Sequence, residues 1–84
     1  MDSKQQEALL MRITSNPGIF GGQPIIRGMR FRVLDVLEYL AAGMSAEEIV
    51  KEFPYLTKED ITASLLYAAK KINHPVVSVV LDAA

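Results

Sequence analysis

Val33-Leu34-Asp35-Val36-Leu37-Glu38-Tyr39-Leu40-Ala41-Ala42-Gly43-Met44-Ser45-Ala46-Glu47-Glu48-Ile49-Val50-Lys51-Glu52-Phe53-Pro54-Tyr55-Leu56-Thr57-Lys58-Glu59-Asp60-Ile61 is the stretch whose punctuation decides the fold. Val33, Val36, Leu37 and Leu40 fall at i, i+3, i+4 and i+7, which puts them on one side of a helix. Gly43 follows Ala42 as a C′ residue, since glycine takes a positive φ without a Cβ clash. Ser45-Ala46-Glu47-Glu48 then reads as a capping box, with Ser45 at the N-cap and Glu48 at N3. Ala46, Ile49, Val50 and Phe53 repeat the stripe over about two turns, and Pro54 closes that helix. Thr57 caps a third helix, with Glu59 and Asp60 at the positive end of its dipole.

The third helix runs on with a stripe of Ile61, Leu65, Ala68, Ala69 and Ile72, and stops at Asn73 and Pro75. Lys70 and Lys71 suit its negative end. Three amphipathic helices joined by two short connections bury their stripes against one another. Residues 33–73 are therefore expected to form a three-helix bundle, with Phe53–Thr57 where a helix-turn-helix has its turn.

The flanks differ. Residues 11–32 read as strand and loop, with short strands near Met11–Thr14 and Met29–Arg32. Residues before Met11 are expected to fray. Ser15-Asn16-Pro17-Gly18-Ile19-Phe20-Gly21-Gly22-Gln23-Pro24 between the strands is dense in turn formers. Residues 75–82 form an apolar tail in which Val76, Val77, Val79, Val80 and Leu81 read as a strand in need of a partner. The expectation is a mainly α single domain over residues 1–84.

With 84 residues there is one core, and half of the residues are apolar, which is globular composition. No cysteine is present, so disulfides and thiolate metal sites are out. Neither a membrane-spanning run nor a signal peptide is visible, and the cytoplasm is the expected compartment. Residues 1–34 hold five basic against two acidic side chains, whereas residues 35–84 hold four against eight. That acidic helical part argues against a dedicated DNA binder, whose recognition domain is normally basic.

Catalytic chemistry is thin. His74, the sole histidine, sits at a helix exit with no companion ligands for a metal. Glu47, Glu48, Glu52, Glu59 and Asp60 read as capping and solvent-facing residues. The glycines at 18, 21, 22 and 28 match neither phosphate-loop spacing and read as tight turns. No enzyme activity, cofactor or metal is expected. Arg27, Arg30 and Arg32 have two readings: a patch for phosphates or an acidic partner, or pairing with acids of the same chain such as Asp35 or Glu38. Opposite its stripe the third helix presents Glu59, Thr62, Ala63, Leu66 and Lys70, a poor set for reading bases. Leu66 on that face suits a protein contact better.

The run Asn16 to Phe31, with its Gly21-Gly22-x-Pro24-x-x-Arg27-Gly28-x-Arg30 core, resembles a family of small bacterial and archaeal domains of unknown function. Some of its members are described as VapB-type antitoxins. The resemblance continues through Leu40–Ile49, Phe53–Ile61 and Ala68 and spans roughly residues 12–70. It implies a homeodomain-like three-helix fold, with Gly22, Pro24, Arg27, Gly28 and Arg30 as the loop positions and Ser45 and Thr57 as helix caps. Gln23 and Met29 depart from it, standing where lysine and threonine are common. By resemblance, the chain is expected to be an antitoxin-like adaptor that neutralises a cognate PIN-like ribonuclease toxin and, as a dimer, binds operator DNA. The alternative is a stand-alone helix-turn-helix DNA-binding regulator. The partner- or nucleic-acid-binding candidates are Arg27, Arg30, Arg32, Thr62, Leu66 and Lys70, and Val76, Val77, Val79, Val80 and Leu81 supply the partner or dimer tail.

Overall fold

The structure, a computed structural model, describes residues 1–73. It is mainly helical, with α1 at Ser3–Leu10, α2 at Val33–Ala41, α3 at Ala46–Glu52 and α4 at Lys58–Lys71. A two-stranded antiparallel sheet pairs β1 (Ile13–Thr14) with β2 (Ile25–Ile26), Ile13 opposite Ile26 and Thr14 opposite Ile25. The tail residues Val76, Val77, Val79, Val80 and Leu81, and His74, lie outside the described residues.

The capping chemistry sets the helix boundaries. Ser45 Oγ accepts the Glu48 N–H at 3.1 Å while Glu48 Oε1 accepts the Ser45 N–H at 2.9 Å. At α2 the acid rather than the cap residue does the work, because Asp35 Oδ2 accepts the Arg32 N–H at 2.9 Å. Gly43 ends α2 with φ at +102°, as its position past Ala42 required.

The described residues form four α-helices, not three. The stretch expected to fray is α1, opened by a reciprocal box in which Asp2 Oδ1 accepts the Gln5 N–H and Gln5 Oε1 accepts that of Asp2. No α1 residue is buried; the helix lies along α4 and rests on its cap and that contact. The second strand also differs from expectation. Arg27 and Gly28 both take positive φ, +46° and +72°, and the Met29 N–H donates to Ile26 O at 2.8 Å. That turn reverses the chain after Ile26, so β2 is Ile25–Ile26. Met29–Arg32 is the return leg, held by one bridge from Ile25 to Arg32.

Ile26, Phe31, Val36, Ile49, Leu56 and Ile61 form the core. Phe31 is its hinge point, meeting Phe53 edge-on at 4.9 Å between centroids, with Tyr39 and Tyr55 farther out at 6.4 and 6.2 Å. The phase of α4 is the larger correction. Its buried face is Asp60, Ile61, Ala63 and Ser64, while Leu65 and Ile72 are 48% and 69% exposed and Ala69 is also outside. Ala63, expected to face outward, is fully buried. The helix is turned by roughly one residue, ~100°, from the orientation that apolar counting gives. Apolar counting fails here because two of the four buried positions are polar. Ser64 Oγ donates to Asp60 O at 2.9 Å, so its hydroxyl is satisfied in place.

This phase makes a direct prediction for unfolding in urea. Ile61→Ala should lower stability by about 2–4 kcal/mol, and Leu65→Ala should stay within about 0.5 kcal/mol of the parent. The reverse order would put α4 back in the orientation read from its apolar residues.

Candidate functional site

The Arg27-Gly28 turn lies over the start of α4, and the reason is Asp60. Its side chain is fully buried, and its two oxygens accept four hydrogen bonds. Arg12 Nη1 and Arg27 Nε reach Oδ1 at 3.0 Å each. Arg27 Nη2 and the Thr57 N–H reach Oδ2 at 2.8 and 2.9 Å. The Asp60 N–H in turn donates to Thr57 Oγ1, completing a capping box whose acid also holds two arginines. Arg27 Nη2 donates as well to Tyr55 O at 2.8 Å, so one guanidinium ties the loop to both the α3–α4 turn and α4. Burial alone would push the Asp60 carboxyl up. The Arg27 fork, the Thr57 amide and Arg12 overcome that and hold it at about 2.

The same fork explains Arg27's backbone. A non-glycine residue at φ +46° carries strain of about 1 kcal/mol, and the bidentate contact offsets it. Gly28 next to it has φ +72°, and its N–H donates to Thr14 Oγ1 at 2.9 Å, tying the turn to β1.

Sequence reading does not single out Asp60 and Arg12 as a site, since Asp60 reads as one of the capping and solvent-facing acids. The available signal was Thr57-x-x-Asp60, a capping box, beside an arginine surplus in the first third of the chain.

Of the two readings of the arginines, pairing within the chain describes Arg27 and Arg32. Arg32 forks onto Asp35, its Nη2 2.7 Å from Oδ1, and holds that carboxyl below the usual range. Its guanidinium carbon lies 5.2 Å from the centroid of the Phe20 ring. Arg30 differs. Among the described residues it makes no hydrogen bond or ion pair, and it is exposed at the tip of the return leg.

The structure does not bring the α4 candidates together with the arginine loop as one patch. Thr62 and Lys70 are exposed, Thr62 Oγ1 donating to Lys58 O at 3.2 Å, and Leu66 is half-buried. The outward ridge of α4 is instead Thr62, Leu65, Ala69 and Ile72, spaced i, i+3, i+7, i+10. That spacing places the four side chains on one face of the helix. Among the described residues no helix is long and apolar enough to cross a membrane.

Comparison with known proteins places these features in a family. The family described as "Protein of unknown function (DUF433)" matches residues 13–68, which takes in the sheet, the arginine loop and most of α4. The uncharacterized protein y4eO of Sinorhizobium fredii is 43% identical over 56 residues, which cover 67% of this chain and 25% of that protein. This chain thus spans about a quarter of that relative. A DUF433 member protein from Anabaena variabilis, with a crystal structure at 2.00 Å, superposes with a TM-score of 0.66 at 26% identity. That alignment covers 86% of this chain and 77% of the other.

Asp60→Asn should cost about 2–4 kcal/mol at neutral pH, because two guanidinium groups would face an amide that cannot accept all their bonds. The acid side carries its own sign. A carboxyl held at about 2 when folded, against nearly 4 when unfolded, contributes stability that is full above pH 5 and lost as pH falls towards 2. Urea titrations between pH 7 and 2 should show about 2 kcal/mol of acid-dependent loss in the parent that is absent in Asp60→Asn. An unchanged acid limb in the variant would remove the network from this role.

Proposed function

The chain belongs to the DUF433 family, and we propose that it acts as an antitoxin-like adaptor that binds a protein partner through a homeodomain-like helix-turn-helix of α3 and α4. The observation that carries the reading is the outward ridge of α4. In a helix-turn-helix that reads DNA, this helix enters the major groove and presents arginine, lysine, asparagine or glutamine to the bases. Here the ridge is Thr62, Leu65, Ala69 and Ile72, with Leu65 and Ile72 widely exposed. An apolar ridge of that kind suits a protein surface, where it would lose water on contact.

Charge supports the same direction. Three of the four arginines, Arg12, Arg27 and Arg32, are occupied by Asp60 and Asp35 of the same chain. Neutralising phosphates takes several uncommitted cations, and the described loop offers Arg30 alone. In the proposed complex Arg30 meets an acidic feature of the partner, and Val76–Leu81, where the partner draws it from its own chain, adds a strand to the partner or to a second copy. The partner that the family resemblance implies is a PIN-like ribonuclease, whose metal-binding carboxylates are the kind of acidic feature Arg30 fits. Operator binding would belong to the dimer rather than to one α4.

The test is inhibition of a PIN-like ribonuclease from the same genome, read as cleavage of a labelled RNA. Stoichiometric inhibition is expected, weakened at least tenfold by Leu65→Asp and several-fold by Arg30→Ala. If no such nuclease is bound or inhibited, the reading is lost. Tight DNA binding that falls steeply with salt and vanishes with Arg30→Ala would favour the stand-alone regulator instead.

A further inference from the structure

The core-facing side of α4 continues past the point where the described core ends. Tyr67, Ala68 and Lys71 extend it, and with Leu34 and Leu37 of α2 and Ile72 they line an almost wholly apolar groove of about 240 Å³. Leu34 and Ile72 stand on its rim at 44% and 69% exposure. The Lys71 ammonium is drawn towards the Tyr67 ring, 5.4 Å from its centroid, leaving the lysine stem to the groove.

We propose that this groove seats the chain's own C-terminal segment, Val76–Leu81, in cis. The described chain ends at Asn73, one residue beyond Ile72 on the rim, so the segment begins at the groove's mouth. Asn73-His74-Pro75 has the composition that lets a chain reverse. The six residues that follow extend to about 20 Å and carry no charge, matching a groove whose one charged lining residue, Lys71, turns its ammonium to the Tyr67 ring. Its volume equals about eight water-sized groups, room for two or three valine side chains. Connectivity selects the occupant. Elements joined by short connections usually pack side by side, and a tether of this length gives an effective concentration in the millimolar range. A second copy's tail reaches that only in concentrated solution. The inference concerns the chain alone and stands whether or not the nuclease reading holds.

The full chain has no cysteine, so a disulfide can report the contact without background. Leu34→Cys is combined with Val77→Cys or with Val79→Cys, oxidised mildly in dilute solution and read by mass and non-reducing electrophoresis. One of the two pairs should close within a single chain, while Glu47→Cys with Val79→Cys, placed on exposed α3, should stay open. A bond between two chains, failure of both pairs, or equal closure with position 47 would each overturn the proposal. As a second readout, Val77→Asp in the otherwise native chain should raise the fluorescence of an apolar dye several-fold by uncovering the groove. No change in that fluorescence would also overturn it.

Discussion

Asp60 is the constraint on which the rest of the described structure depends. Moving a carboxylate from water to a site with no exposure costs several kcal/mol unless its lone pairs are filled. Here they are filled by groups from three places: Arg12 beside β1, Arg27 in the loop and Thr57 at the cap of α4. Arg27 is held elsewhere as well, its N–H donating to Arg12 O at 2.7 Å and its guanidinium to Tyr55 O. The N-terminal third is therefore attached to the helical part by directional bonds. Ile26 and Phe31, on either side of that loop's turn, pack into the core.

That arrangement accounts for what was legible in the sequence and what was not. Caps are local chemistry, so Ser45-x-x-Glu48, Thr57-x-x-Asp60 and Gly43 could be read from neighbouring residues alone. Asp2-x-x-Gln5 was equally local and marks α1, yet an eight-residue segment with no buried residue leaves little apolar pattern to accompany it. The phase of α4 was beyond reach because periodicity counts apolar residues as inward. Asp60 and Ser64 are inward because of partners 33 and four residues away, Arg27 and Asp60 O. A long-range ion pair leaves no periodic trace. It shows only as unlike charge at two distant positions, and many pairs in this chain satisfy that description.

The correction to α4 also changes how its surface is read. With Leu65 and Ile72 assigned to the core, the opposite face looked mixed and Leu66 stood out as the odd apolar residue. Once the helix is turned, Leu66 is half-buried and ordinary, and the exposed leucine is Leu65, in line with Ala69 and Ile72. The preference for a protein contact over base readout remains, but it rests on different atoms. Of the candidates named from sequence, Arg30 gains weight because it has no partner among the described residues. Arg27 and Arg32 lose it, since moving either to a ligand would leave Asp60 or Asp35 underpaired.

The two apolar features of α4 therefore ask for different occupants. The ridge of Leu65 and Ala69 faces away from the protein. The groove beside Tyr67 and Leu34 opens next to the point at which the described chain ends. Ile72 belongs to both, one wall of the groove and the last position of the ridge. A tail seated in the groove would complete the surface around Ile72 on which a partner first closes. A partner that drew the tail away would instead meet a ridge bordered by an open groove. Partner affinity and the position of Val76–Leu81 would then be linked, because any ligand that prefers one arrangement of the tail shifts its population by that difference in affinity. α4 would thus serve as the shared wall between a contact within the chain and one outside it.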